Sequence, residues 1–291
     1  MKPLAMVALG IVAVVVIASF VAIGYNIMDN KQSKKVDQLP FSTIEGNLSS
    51  PHPYYNSTYG FVSPNLWNLK QGKGEVNMSF YENSSVKTTA SLYNVQPQLS
   101  VLGYPSEHFT YDMPMELKTM FEDNLSSYVS FSVGNATNYA PIDVAYDIFI
   151  GQGSTMQYEV MIWLYQNNGY ITTFPFTNFT ILTTVNGGLK AVNWEVYKMS
   201  DPSGWTIFMF VPELHFNKSM SYEINFPSFF SSLRNVVNIS STSTIVRLGI
   251  GSEFGSGLIT SVNSLNYSFW LYSYFISDGV KYQIIQPSEV S

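Results

Sequence analysis

Two carboxylates stand inside apolar runs, where a sequence built only for stability would avoid them. Asp147 lies in Tyr146-Asp147-Ile148-Phe149-Ile150, and Glu159 in Tyr158-Glu159-Val160-Met161-Ile162-Trp163-Leu164. Between them, Gly151-Gln152-Gly153-Ser154-Thr155 has the composition of a turn. A hairpin centred on Gly153 sets Asp147 directly opposite Glu159, with Cβ atoms about 4.5–5.5 Å apart. Two like charges that close do not both ionise easily, so one carboxyl keeps its proton longer than the other. An active site uses such a pair. Alternation puts Glu159, Met161, Trp163 and Tyr165 on one face and Tyr158, Val160, Ile162 and Leu164 on the core face. Sugars stack their C–H faces on aromatic rings, so the Glu159 face is suited to a glycan. The plainer reading leaves Glu159 on a half-exposed strand facing solvent, as Glu195 and Glu223 are placed.

Composition narrows the chemistry. The 291 residues carry a net charge of −6, and only 12% are charged, about half the usual share. Aromatics reach 15%, which excludes disorder. The acidic, lysine-poor balance excludes a nucleic-acid partner. With no cysteine and only His52, His108 and His215, thiol chemistry and a histidine-rich metal site are excluded. Carboxylates, hydroxyls and amides remain.

These groups need an address and a scaffold. Leu4–Gly24 is uncharged and long enough to cross a hydrocarbon core of about 30 Å. Residues 1–28 are therefore expected to be a membrane anchor or signal segment. The length favours an uncleaved anchor over a cleaved signal, whose apolar region spans about 7–15 residues. Lys31, Lys34 and Lys35 after the segment outnumber Lys2 before it, which alone would place the body in the cytoplasm. Ten N-x-Ser/Thr sequons oppose that: Asn47, Asn56, Asn77, Asn83, Asn124, Asn135, Asn178, Asn217, Asn238 and Asn266. They favour an exported, glycosylated body. It is expected at the cell surface, or secreted if the segment is removed. Residues 29–55 are polar and aperiodic, and are expected to be a linker.

The body, 56–291, is β-rich. Short β-branched and aromatic runs recur at 143–150, 157–165, 204–211, 244–250 and 266–276, between Gly/Asn/Ser/Pro clusters. This spacing predicts a sandwich or barrel. One helix is predicted from Phe226 onward, with Ser228 as its cap. There is no tandem repeat, phosphate loop or nucleophile elbow.

In order along the chain come Asn65-Leu66-Trp67, Tyr104-Pro105, Tyr146-Asp147, Glu159-Val160-Met161-Ile162-Trp163-Leu164, Val185-Asn186-Gly187, Trp194-Glu195-Val196-Tyr197 and Gly251-Ser252-Glu253-Phe254. This ordered set resembles glycoside hydrolase family 12, the compact endo-β-1,4-glucanases. The family pattern differs at three places. Phe149 stands where it has tryptophan, Asn68 where it has glycine, and Glu253 is followed by Phe254 without the intervening proline.

The resemblance implies an all-β jelly-roll sandwich of two curved antiparallel sheets with a cleft on the concave face. It implies retaining hydrolysis of cellulose-like or mixed-linkage β-glucans, needing water and no cofactor or metal. Glu159 would be the nucleophile and Glu253 the acid/base, with Asp147 as the supporting acid and an acidic pH optimum. Asn65 and Trp67 resemble the family's platform for a glucose unit, and Met161 would lie in the cleft floor. Trp163 would line the cleft or pack beneath it, whereas Trp194, Trp205 and Trp270 are read as core. The alternative reading is a surface glycoprotein that binds sugar on the same scaffold without cleaving it. An acid protease ranks below both, since the aspartate motif of that class is missing.

Overall fold

The computed structural model describes residues 40, 42–47, 53–66, 69–97, 101–134, 142–153, 155–167, 173–255 and 262–283. Among them, no helix is long and apolar enough to cross a membrane. The expected anchor, 1–28, lies outside the described residues.

Nineteen strands and two helices make up the described chain. The strands are β1 (Ser42–Asn47), β2 (Tyr55–Asn56), β3 (Gly60–Ser63), β4 (Leu69–Phe80), β5 (Val86–Pro97), β6 (Val101–Gly103), β7 (Ser106–Phe109), β8 (Met115–Glu116), β9 (Ser126–Val133), β10 (Ile142–Gln152), β11 (Thr155–Asn167), β12 (Thr177–Val185), β13 (Gly188–Ser200), β14 (Thr206–Pro212), β15 (Ser219–Asn225), β16 (Thr244–Gly251), β17 (Phe254–Gly255), β18 (Val262–Ser277) and β19 (Lys281–Tyr282). The helices are α1 (Leu117–Glu122) and α2 (Phe226–Arg234).

Pairing runs in two stretches. One is β1-β4-β5-β18-β9-β15. The other is β12-β13-β14-β11-β10-β16-β7-β3-β2. The fold is all-β and jelly-roll-like, and two details differ from two separate antiparallel sheets. The stretches join through β12 and β15, where Thr184 pairs with Glu223 and Val185 with Tyr222. The β11–β14 pair is parallel, because β13 and the Asp201–Trp205 turn bring the chain back in the direction of β11.

Alternating side chains fill the space between the stretches. Tyr146 of β10 lies 6.4 Å from Tyr274 of β18, and its hydroxyl donates to Ser127 Oγ of β9 at 2.8 Å. Tyr222 of β15 donates to the Leu164 carbonyl of β11 at 2.8 Å. Tyr146 and Tyr222 thus each pack a ring and satisfy a hydroxyl. Helix α2 covers one side of this core: Phe229 meets Trp194 at 4.9 Å and Phe210 at 5.3 Å.

Three sequence expectations need correction. The stretch read as linker contains β1, whose Ile44 pairs opposite Met78 of β4. A six-residue edge strand carries too little pattern to stand out from polar surroundings. The cap of α2 is Asn225, whose side chain accepts from the Ser228 amide at 3.1 Å; Pro227 lacks the N–H and sits where a helix start tolerates it. A second helix, α1, is present, too short to show a period.

Candidate active site

Strand β10 is buried on both faces from Ile142 to Gly151. Its even-numbered residues enter the main core. Its odd-numbered residues, Asp143, Ala145, Asp147 and Phe149, face the other way. Beside them β11 presents Glu159, Met161 and Trp163, and β16 presents Arg247, Gly249 and Gly251. Glu253 follows β16 directly. The glycines are needed there. A Cβ on Gly249 would sit 2.5 Å from His108 Nδ1, and one on Gly251 would sit 2.7 Å from Ser106 Cβ and 2.8 Å from the Tyr104 ring. Bare backbone at these two positions lets Tyr104 and His108 close one side of the groove.

The hairpin register differs from the sequence expectation. Asp147 pairs with Met161, and Glu159 with Phe149. Gln152 pairs with Thr155, so the turn is centred after Gly153, and a bulge between Ile150 and Gly151 leaves Gln157 as the extra residue on β11. Together these move each partner by two residues. Asp147 and Glu159 become diagonal neighbours on one face, still within side-chain reach, and they share a hydrogen bond. A second shift between Val144 and Ala145 breaks the alternation. Tyr165 consequently joins the main core, edge-on to Phe216 at 5.8 Å.

The four carboxyls of the groove form two hydrogen-bonded couples. Asp147 is 6% exposed. Burial first, then the charge of Glu159, hold its pKa well above the ordinary range. It therefore keeps its proton and donates to Glu159. Glu159 is half-buried, and burial raises its pKa, opposed by hydrogen bonds from Trp205 and Asp147. Trp205 Nε1 donates to Glu159 Oε2 at 2.8 Å. Both donors favour the charged carboxylate.

Glu253 and Asp143 make the second couple. Burial and the adjacent Asp143 push Glu253 well above the carboxylate range, and the charge of Glu159 adds to the effect. Asp143 is fully buried and is raised to about 7 by burial. Backbone bonds fix this corner: Ser252 Oγ donates to the Asp143 carbonyl at 2.6 Å, and the Asp143 amide donates to the Glu253 carbonyl at 3.2 Å. Tyr104 donates to the Ala145 carbonyl at 3.0 Å. Burial first, with the carboxyls of Asp147, Glu253 and Asp143 close by, keeps its hydroxyl protonated.

The predicted site residues are partly assembled. Glu159, Glu253 and Asp147 meet in one electrostatic cluster. Asn65 is half-buried, takes a positive φ of 39° and lines a pocket with Tyr54, Phe61, Ser63, His108 and Arg247. Trp67 lies outside the described residues. Met161, 5% exposed, and Trp163, 2% exposed, pack with Ala145, Tyr197, Met209 and Val211. Trp163 therefore lies on the same face of β11 as Glu159, closely packed in a small cluster apart from the main core.

Sequence reasoning missed Trp205, Asp143 and Arg247. Asp143 was accessible from its period-2 spacing to Asp147. Arg247 was accessible from Arg247-x-Gly249-x-Gly251-x-Glu253, which puts all four on one face. Trp205 gave no local signal, since its contact is 46 residues away. Among the described residues no cluster of three His, Asp or Glu is arranged to hold a metal ion.

Paired carboxyls gathered in an all-β groove beside aromatic rings are the groups that a glycan-hydrolysing class of protein uses. The chain belongs to glycosyl hydrolase family 12, whose family model matches residues 58–270. A search of curated proteins returns no match. Solved structures of similar fold include a family 12 xyloglucanase from Bacillus licheniformis, with 17% identity over 81% of this chain and 99% of that one and a TM-score of 0.61. Endoglucanase 3 of Trichoderma harzianum gives 18%, 82%, 99% and 0.62. The xyloglucanase domain of NopAA from Sinorhizobium fredii, solved with cellobiose, gives 15%, 84%, 100% and 0.59.

Proposed function

We propose that this chain is a retaining endo-β-1,4-glucanase, acting on internal bonds of cellulose-like or mixed-linkage glucans. The observation that carries the reading is the split between Glu159 and Glu253. Glu159 is supplied with two donors that favour its carboxylate. Glu253 is desolvated beside Asp143 and keeps its proton. One carboxylate can attack while the other acid protonates.

In the first step Glu159 attacks the anomeric carbon as Glu253 gives its proton to the leaving oxygen. A covalent glycosyl-enzyme forms and the leaving chain departs with a hydroxyl. In the second step Glu253, now a carboxylate, takes a proton from water, and the water oxygen displaces Glu159 from the anomeric carbon. Two inversions give net retention. Activity needs charged Glu159 and protonated Glu253, giving a bell-shaped profile. Its optimum falls on the acidic side of neutrality, where Asp143, held to about 7, also keeps its proton. Family relatives described as endoglucanases and xyloglucanases support a β-glucan backbone as substrate.

Export to the cell surface, with Leu4–Gly24 as anchor, belongs to the same proposal. In support, none of the nine sequon asparagines within the described residues is buried. The test is reducing-end release by the full chain from carboxymethylcellulose, mixed-linkage glucan and xyloglucan. Glu159→Gln and Glu253→Gln should each lower kcat by roughly 10⁴-fold. Proton NMR of the first product should show the β anomer. An α product overturns retention. Binding without cleavage by the unmodified chain overturns the hydrolase reading in favour of a carbohydrate-binding protein.

A further inference from the structure

Arg247 is a half-buried cation that enters no ion pair among the described residues, although its charge is felt by Glu159 and Asp147. It stands across the ladder from Phe149, with its guanidinium carbon 4.1 Å from the ring centroid. Among the described residues no carboxylate lies within the 4.0 Å of an ion pair, and its buried Nε has no acceptor. A guanidinium withdrawn from water without an anion is costly. It forms one wall of a pocket of about 160 Å³, whose other lining residues are Tyr54, Phe61, Ser63, Asn65 and His108.

The opposite wall is fixed and neutral. Ser106 Oγ donates to the Tyr104 carbonyl at 2.9 Å, so the 2.8 Å contact with His108 must run from His108 Nε2–H to Ser106 Oγ. The ring stacks on Phe61 at 4.5 Å. Burial, then the charge of Arg247, push the His108 pKa down to about 3. Of the carboxyls whose charge Arg247 feels, Asp147 keeps its proton and Glu159 is held by Trp205. Little stands between the guanidinium charge and a ligand in the pocket.

We infer that this pocket is a subsite for the carboxylate of a uronic acid unit, so that the substrate is a β-glucan bearing C6-carboxylated sugars. The guanidinium fork matches a carboxylate in plane and spacing. The rings of Tyr54 and Phe61 flank the place where that sugar's C–H face would lie. Arg247, Phe149 and Glu159 sit in a row across β16, β10 and β11. At strand spacings of about 4.8 Å, Arg247 is roughly 10 Å from the strand of Glu159, the reach of a neighbouring sugar unit. The inference rests on the glucanase reading.

The test uses the full chain carrying Glu159→Gln, which holds ligand uncleaved. Calorimetry at pH 6 and low salt compares a cello-oligosaccharide with the same oligosaccharide oxidised at C6 to glucuronic acid. The oxidised ligand should bind roughly tenfold more tightly, the scale of one added charge-assisted contact. Adding Arg247→Gln should bring the ratio of the two Kd values near one. Arg247→Lys, which keeps the charge and loses the fork, should give an intermediate ratio and covers the case in which the glutamine variant does not fold. Equal binding of both ligands, no binding of the oxidised one, or loss of both in equal proportion overturns the subsite and leaves Arg247 as electrostatic support for Glu159. Failure of the glucanase reading shows separately, as no reducing ends from the neutral oligosaccharide with Glu159 intact.

Discussion

Glu159 depends on two donors, and each can be removed alone. Asp147→Ala deletes the protonated carboxyl that bonds Glu159, so the Glu159 pKa should rise and the acid limb of kcat/KM should move to higher pH. Asp147→Asn keeps an N–H donor and should leave that limb near its original position. An unmoved limb in the alanine variant sinks this role for Asp147. Trp205→Phe keeps the ring that meets Phe149 edge-on at 6.3 Å and removes the N–H. A hydrogen bond to a charged group is worth about 1.5–3 kcal/mol, so kcat/KM should fall about 10–100-fold and the acid limb should rise. The pH profile separates this from simple destabilisation, which lowers activity without moving a kinetic pKa. Residue types made Asp147 and Glu159 legible in the sequence, because a carboxylate inside an apolar run is conspicuous, whereas Glu253, in a Gly/Ser-rich loop, was legible only through the family resemblance. Trp205 was hidden for the converse reason: an aromatic among forty-five aromatics carries no mark until a distant strand supplies its partner.

Strands set the precision of the groove. The hairpin was legible from its turn and its flanking runs. Its register was not, because a bulge at Gln157 costs one residue and leaves no trace in composition. The face assignment of Glu159 survived only because the total shift is two residues; a shift of one would have turned Glu159 into the core. The glycines of β16 make a sharper point. Gly251→Ala places a methyl 2.4 Å from the Pro105 carbonyl oxygen, and neither that backbone nor Tyr104 can yield without moving β7. Overpacking of this kind costs about 1–3 kcal/mol. Thermal denaturation should show a lower midpoint, and kcat should fall as well, since Glu253 hangs two residues beyond the displaced strand. A variant with unchanged Tm and kcat would show that β7 and β16 are not in firm contact. By contrast Asn225→Ala, at the cap of α2 and outside the groove, should cost about 1 kcal/mol of stability and leave the pH profile of activity in place.

Across the whole molecule, strand spacing pointed to a sandwich or barrel, and only resemblance to a family chose the jelly roll, since strand order is a property of long-range pairing that periodicity does not encode. The charge balance of the folded chain has a consequence for its stability. Acid usually unfolds proteins by protonating carboxylates that are ion-paired in the native state. Among the described residues the single ion pair, Lys118–Glu122 at 3.6 Å, is on the surface. The buried carboxyls behave in the opposite way. Glu107, 5% exposed on β7, is raised to about 8 by burial, and Asp143 to about 7. Asp147 and Glu253 are raised too. Above the unfolded values near 4, the native state therefore binds more protons than the unfolded chain. Stability is fully present below that pH and is lost as pH rises through 7 and 8. A tenfold difference in proton affinity between the folded and unfolded chain is worth about 1.4 kcal/mol, so Glu107 and Asp143 alone make the loss of order several kcal/mol. For a body of this size that is on the order of 10 °C in Tm. Denaturation scans of the full chain should place the highest midpoint near pH 4–5 and a steady decline toward pH 8. Glu107→Gln, which removes one titrating group from the core, should flatten the upper part of that decline. A midpoint that holds level or climbs between pH 5 and 8 would show that these carboxyls ionise in the fold at little cost.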